Sequence, residues 1–561
     1  MHFGIRRTGS TLVALTIAAL MAGCSPSAST APSAPPASAG ASVAPSEGIS
    51  QVASLRLAIV GDESTLNPFT YVTGFPGWNL LMLQYDSLMQ VDQAGVPQPW
   101  LAESVEVSAD GTTYTVELRD GLAFNDGTPM TSADVAFTND YFKANTQSRF
   151  TRALRSVETI ETPSPTTVVF NLAGPNPSFV LRTLADVPIL PKHVWDAVTN
   201  PAEHSFGSVT NVGTGPYKIV EYKADQFYRL EANDDYFAGP PAVKELVLVK
   251  FADDAGTVAA LRSGEVDMIV RPVAPEQISI LSAEAGIKIN QGPQFTTQML
   301  NFDTTKPPFD RLEVRKAVSL AIDRQDLVDT VYLGGATPGS IGWIHPSSPL
   351  FNDAVKTTTD VAAANALLDG IGAVDSDGDG IRELDGAPMS VEFVTPSNDS
   401  LRLRSSELVR EMLLQIGIDA VVASVEQATW EAKVWPEFDV SKGRDYQLAM
   451  WGWSAPVQAD PGQIGQLVHS DPAVGSINLT GFADPAVDAL VEEFNVTGDG
   501  TRRQELLDQL QVAIAEQLPF VMLLYPDGAY AYRSDVYDGW QFITGLGIVD
   551  KTSLLPPEAR P

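Results

Sequence analysis

The sequence predicts an α/β protein, and three observations carry that prediction. From Leu55 onward, strand-like and helix-like segments follow one another in mixed order with no internal repeat. Hydrophobic residues are 44% and charged residues 19%, a globular balance that excludes a disordered chain and a coiled coil. The 561 residues are enough for several domains or two large lobes.

The N-terminal segment reads differently from the rest. Arg6 and Arg7 precede an apolar run, Thr11 to Met21, which is too short to span a bilayer comfortably and fits the core of a secretory signal peptide. Met21-Ala22-Gly23-Cys24 resembles a bacterial lipobox, with Met21 where Leu is usual. Cleavage before Cys24 and acylation of its thiol would anchor the chain, since each buried CH₂ contributes about 0.8 kcal/mol. Residues 1–23 are therefore expected to be a lipoprotein signal peptide. Residues 24–50, almost all Ser, Ala, Pro, Gly and Thr, cannot bury a core and read as a flexible tether spanning about 30 Å.

In the body, Leu55–Ile59 reads as a strand ending at Gly61, and Tyr114–Leu118 alternates after the turn signal Asp110-Gly111, as one arm of a hairpin does. Glu245–Phe251 is a more continuously apolar strand. Val314, Ala317, Val318, Ala321 and Ile322 recur at helical spacing, as do Leu408, Met412, Leu413 and Ile416. Tyr446–Met450 reads as a strand, and Asp484-Pro485 opens a helix running through Phe494.

Charge and rare residues narrow the function. Lys and Arg number 36 against 69 Asp and Glu, a net charge of −33, and a chain this acidic repels nucleic acid. One cysteine excludes an internal disulfide and a Cys-based zinc site, and no two of the five histidines fall within one helical turn.

Several segments resemble the peptide/nickel-type solute-binding proteins of ABC importers, extracellular family 5. Gly111 to Thr131 contains the LR-G-F-DG-P-T pattern as Leu118-Arg119, Gly121, Phe124, Asp126-Gly127, Pro129 and Thr131, and continues into Ala133-Asp134-Val135. Gly213-Thr214-Gly215-Pro216-Tyr217, then Asn233–Tyr236, then Pro307-Pro308-Phe309 with Val314–Ala317 and Ala321-Ile322-Asp323-Arg324, and finally Leu518-Pro519, follow in the family's order. The resemblance runs from about Leu55 to about Trp540. It implies a two-lobed periplasmic-binding-protein-like fold with a hinge and an extra sub-domain inserted in lobe I. Lobe I would comprise 51–83, 208–298 and 525–561, the insert 84–207 and lobe II 299–524, with hinge crossings near Gln298 and Leu524.

The resemblance also points to a site between the lobes. A Gly-Trp at the end of the Tyr446–Met450 strand lines the family's cavity, which implicates Trp453 and, on the same strand face, Trp451. Peptide-binding members carry an Asp three residues later, where it pairs with the peptide amine; this chain has Pro456. The next carboxylate, Asp460 in Asp460-Pro461, is a candidate ligand group and equally a helix N-cap. Position after lobe I strands adds Phe75, Gln294 and Phe295. Independently of the resemblance, Asp375, Asp377 and Asp379 in D-x-D-x-D-G spacing open a candidate structural Ca²⁺ loop, although its twelfth position is Gly386 rather than Glu.

These readings converge on a lipid-anchored solute receptor of an ABC importer, facing the periplasm or cell surface. It would be non-enzymatic and monomeric, with no cofactor beyond structural Ca²⁺. Its partners would be a small solute, peptide first, and the ABC permease with its ATPase. A sensor or structural lipoprotein without a transporter, and an extracellular hydrolase using two carboxylates, are the rival classes.

Overall fold

A computed structural model describes residues 51–71, 76–204, 207, 211–453, 460–498 and 500–561. Cys24, Phe75 and Pro456 lie outside the described residues, as do the signal peptide and the tether.

The organising element is a single long strand, Phe520–Arg533. Nearly all of it is buried, and it is the middle strand of a 12-stranded sheet. Its first part pairs with Gln298–Phe302 and Ala336–Pro338, and its second part pairs with Ile287–Pro293 and Met268. Pro526, which cannot donate to a ladder, falls where the strand passes from one set of partners to the other. The chain makes the passage a second time between Pro293 and Gln298. Each half-sheet then extends outward through parallel strands. One extends through Leu55–Val60 and Glu245–Phe251, the other through Leu448–Trp451, Ser390–Pro396 and Asp419–Val425.

Each half-sheet has a hydrophobic core on both of its faces. In the long strand, Phe520, Met522 and Tyr525 join one core while Val521, Leu523 and Leu524 join the opposite one. A register shift between Gln298 and Met299 opposite Met522–Leu524 accounts for the break in alternation. Beyond Pro526, Tyr530 and Tyr532 face one core and Ala529 and Ala531 the other.

A separate four-stranded antiparallel sheet holds Ala102–Val107, Thr113–Leu118, Thr167–Leu172 and Val157–Glu161, with its own aromatic core. The predicted hairpin is its first pair. The C-terminal segment reaches back to the base of this region. There the buried Lys551 ammonium meets the Asp86 carboxylate, which also accepts from Trp100 Nε1 at 2.8 Å and the Tyr236 hydroxyl at 3.0 Å.

The sequence motifs have local physical reasons. A Cβ on Gly213 would lie 2.1 Å from the Gln84 carbonyl oxygen, so only glycine allows that approach. Asp323 caps Arg324–Val331, and the buried Arg324 donates to the Met522 carbonyl at 2.8 Å. Arg315, on Leu312–Ala321, donates to the Gln517 carbonyl at 2.8 Å. Arg324 thus pins its helix to the long strand, and Arg315 pins its helix to the end of the helix Gly500–Gln517 that leads into it. The strand expected at Tyr446–Met450 runs instead over Leu448–Trp451, because Tyr446 leaves the ladder to give its hydroxyl to the Leu479 carbonyl. The helix expected from Asp484 to Phe494 spans Pro485–Val496, capped by Asp484.

Candidate functional site

The site is built where the two half-sheets meet. Leu448–Trp451 runs toward the junction and delivers Gly452 and Trp453 beside the link 294–297. The Trp453 N–H donates to Thr297 Oγ1 at 2.7 Å, and the Thr297 N–H returns to the Trp453 carbonyl at 3.0 Å. Gly452 is required at this crossing, since a Cβ there would lie 2.1 Å from the Thr297 carbonyl oxygen.

Trp451 and Trp453 belong to one aromatic cluster. Trp451 stacks on Trp430 with ring centroids 4.3 Å apart, and Trp435 meets Trp451 edge-on at 6.4 Å and Trp453 at 5.7 Å. Arg402 lies over the Trp430 ring at 5.4 Å. The indole N–H groups of Trp435 and Trp451 are buried and have no hydrogen-bond partner among the described residues. Burying such a donor unpaired costs about 1–3 kcal/mol, so this wall holds unused hydrogen-bonding capacity.

The link itself carries Gln294 and Phe295. Gln294 is buried and donates to the Tyr530 hydroxyl at 2.7 Å. Phe295 has a left-handed φ of 57°, rare for a bulky side chain, and its ring contacts His345 with centroids 5.0 Å apart. His345 in turn packs on Tyr525, and burial pushes its pKa down to about 4, so it is neutral at pH 7.

A cavity of about 580 Å³, counting space open to solvent, is lined by Trp78, Gln90, Arg149, Leu181, Arg182 and Leu546 among others. Arg149 holds Asp186 in a two-pronged pair, Nε to Oδ2 at 2.8 Å and Nη2 to Oδ1 at 2.5 Å, and its guanidinium covers Trp78 at 4.6 Å. Burial pushes the Asp186 pKa up, but the Arg149 charge outweighs it and holds the carboxyl below its ordinary value. Gly545, also in this lining, lies against Phe295, so the cavity reaches the link.

Of the predicted residues, Trp451, Trp453, Gln294 and Phe295 are thus brought together at the junction. Asp460 is placed otherwise. It is buried, caps Pro461–Gln463 through the Gly462 N–H, and accepts from Ser178 Oγ at 2.8 Å, so protein donors fill its carboxylate. The Asp375, Asp377 and Asp379 carboxylates can place oxygens within 4.8 Å of one another on an exposed loop remote in sequence from these walls. Asp375 accepts from the Gly378 and Gly380 N–H groups. Trp430, Trp435, Arg149, Asp186 and Arg182 were not singled out by sequence. The one available signal was the arginine run Arg149, Arg152 and Arg155 in a strongly acidic chain.

Comparison with known proteins fixes the family. The profile of bacterial extracellular solute-binding proteins, family 5 Middle, matches residues 96–474. A putative ABC transporter peptide-binding protein of Brucella ovis is 31% identical over 414 residues, 72% of this chain and 75% of that protein. The oligopeptide-binding protein AppA of Bacillus subtilis is 27% identical over 86% of this chain and 87% of its own length. Among solved structures, the ABC transporter substrate-binding protein CtaP of Listeria monocytogenes superposes with a TM-score of 0.78 at 25% identity, covering 90% of this chain and 99% of that one. AppA of Bacillus subtilis, crystallised with a nonapeptide, superposes with a TM-score of 0.70 at 24% identity, covering 90% and 99%. The fold is the two-lobed one of periplasmic binding proteins. The chain belongs to the extracellular solute-binding proteins of family 5, which bind rather than transform their solutes. Among the described residues, no helix is long and apolar enough to cross a membrane.

Proposed function

We propose that this chain is the lipid-anchored receptor of an ABC importer, which takes a peptide between its lobes and delivers it to the permease and its ATPase. Lobe I is then 51–83, 208–298 and 525–561, the insert 84–207 and lobe II 299–524. The observation that carries the reading is the junction, where the long strand and the link 294–297 join two half-sheets beside a cluster of indoles, and a cavity reaches that link at Gly545. Peptide is favoured because the Brucella ovis and Bacillus subtilis relatives are named as peptide binders. The Asp375–Asp379 loop is read as a structural Ca²⁺ site.

Mass spectrometry of whatever co-purifies with the protein from its own host tests the ligand. Peptides are expected, and a sugar or metal chelate in their place would overturn that part of the reading. Cys24→Ser should move the protein from the membrane fraction to the soluble one, because acylation needs the thiol. Retention of the variant in membranes would remove the anchor.

Pro456→Asp tests the missing amine partner. Affinity should rise more for free-amine peptides than for N-acetylated ones, since only the former bring a charge to pair. Equal effects on both would place the amine elsewhere.

A further inference from the structure

We infer that Asp460 is a latch between lobe II and the insert, holding the cleft closed through Ser178 and Arg182, rather than a ligand contact. Ser178 and Arg182 stand one turn apart, flanking the start of the helical segment Val180–Leu184. Asp460 lies 282 residues away, at the head of the short helix Pro461–Gln463. Its Oδ1 accepts from Ser178 Oγ at 2.8 Å and from the Gly462 N–H at 2.9 Å, and its Oδ2 faces Arg182 Nε at 3.7 Å. The Asp460 side chain is 3% exposed and that of Arg182 28%, so the contact is shielded from solvent. A Cβ on Gly462 would lie 2.5 Å from Ser178 Oγ, so the absence of a side chain there is what lets the insert approach. Arg182 also lines the cavity, so the latch adjoins it.

Hinged lobes interconvert between open and closed forms, and a contact made only in the closed form shifts the population toward it. The Asp460 contact joins lobe II to the insert, the two parts that such a closure would bring together. Opening would strip the carboxylate of its Ser178 and Arg182 partners but leave its cap to Gly462 intact. A second pair joining the two halves, Arg404 Nη2 to Glu276 Oε1 at 2.6 Å, lies elsewhere. Its helix Pro275–Ser282 packs on the sheet face that carries Ala529 and Ala531, whereas the segment after Asp460 packs in the core that holds Met522 and Tyr525. Both side chains of that pair are 42% exposed, so salt screens it.

The test needs no ligand, and so it stands or falls apart from the transport reading. Spin labels at Glu158→Cys on the insert and Ala489→Cys on lobe II, in a Cys24→Ser background, report the distance across the mouth. Asp460→Asn removes the charge yet keeps a good N-cap, and Ser178→Ala attacks the same contact from the other side. Each should reduce the short-distance population at least about threefold, while Glu276→Gln should leave it in place. An unchanged distribution in both latch variants would overturn the inference. Equal opening by Glu276→Gln would do the same, since any cross-lobe contact would then serve.

Discussion

On the wall built by Arg149, Asp186, Arg182 and Trp78, each charge already has a counter-charge. The wall built by Trp430, Trp435, Trp451 and Trp453 keeps two buried indole N–H groups with no acceptor among the described residues. The Arg149–Asp186 pair lies within the insert and is set whether the lobes are open or closed, so it can orient a ligand without rearranging. The indole wall offers aromatic contact area, and it gains most when an apolar part of a ligand reaches it. Shape on one side and affinity on the other is the division of labour this contrast teaches, and it can be broken one wall at a time.

The largest effect is expected on the charged wall, and in stability. Asp186→Ala leaves the Arg149 guanidinium buried and uncompensated, which should cost about 3–5 kcal/mol and lower the melting temperature sharply. The same pair gives a pH signature. The folded-state pKa of Asp186 lies below its ordinary value, so its contribution is present above about pH 4 and fades as pH falls through the folded value. Acid unfolding followed by circular dichroism should therefore begin at higher pH in Asp186→Asn than in the parent protein; coincident transitions would show that the pair contributes nothing to acid stability.

Next comes the indole wall, and in binding. Trp453→Ala should weaken ligand affinity by about 2 kcal/mol, read by calorimetry, with an unchanged circular dichroism spectrum. Loss of the fold instead would make Trp453 a core residue. Trp435→Phe should be milder. It removes a donor that has no partner among the described residues, so stability should change by less than about 1 kcal/mol while affinity falls. A large loss of stability would assign Trp435 to the core alone.

The smallest effect lies outside both walls. Added Ca²⁺ should raise the melting temperature by mass action, and changing Asp375, Asp377 and Asp379 together to Asn should abolish the rise. No shift in the parent protein would leave the loop as a solvated turn.

The sequence disclosed what is local. Alternation gave Thr113–Leu118 and helical spacing gave Leu312–Ala321, because those periods are set within a few residues. The glycine-rich and arginine-bearing motifs were visible as strings, and their purposes emerged only with the partners they touch. Arg324 reaches Met522 across 198 residues, and Gly213 makes room for Gln84. The long strand Phe520–Arg533 was not read from the sequence, where Pro526-Asp527-Gly528 interrupts its apolar residues as a turn would, and its role as the bridge between half-sheets depends on pairing with segments more than 180 residues away. The site was half legible for the same reason. Trp451 and Trp453 stand together in the chain, whereas Trp430 and Trp435 share no helical face with each other. Asp186 finds Arg149 37 residues away. Asp460 shows the limit most plainly, since a carboxylate near the expected ligand position is indistinguishable in sequence from one filled by a serine of the insert.

The central claim is that a solute is held between these two walls, and native mass spectrometry of the chain purified from its own host addresses it directly. The account predicts a stoichiometric mass increment of one small molecule, lost on denaturation and absent or greatly reduced in Trp453→Ala. A wild-type protein that flies at its bare covalent mass, or an increment that Trp453→Ala retains in full, would contradict it.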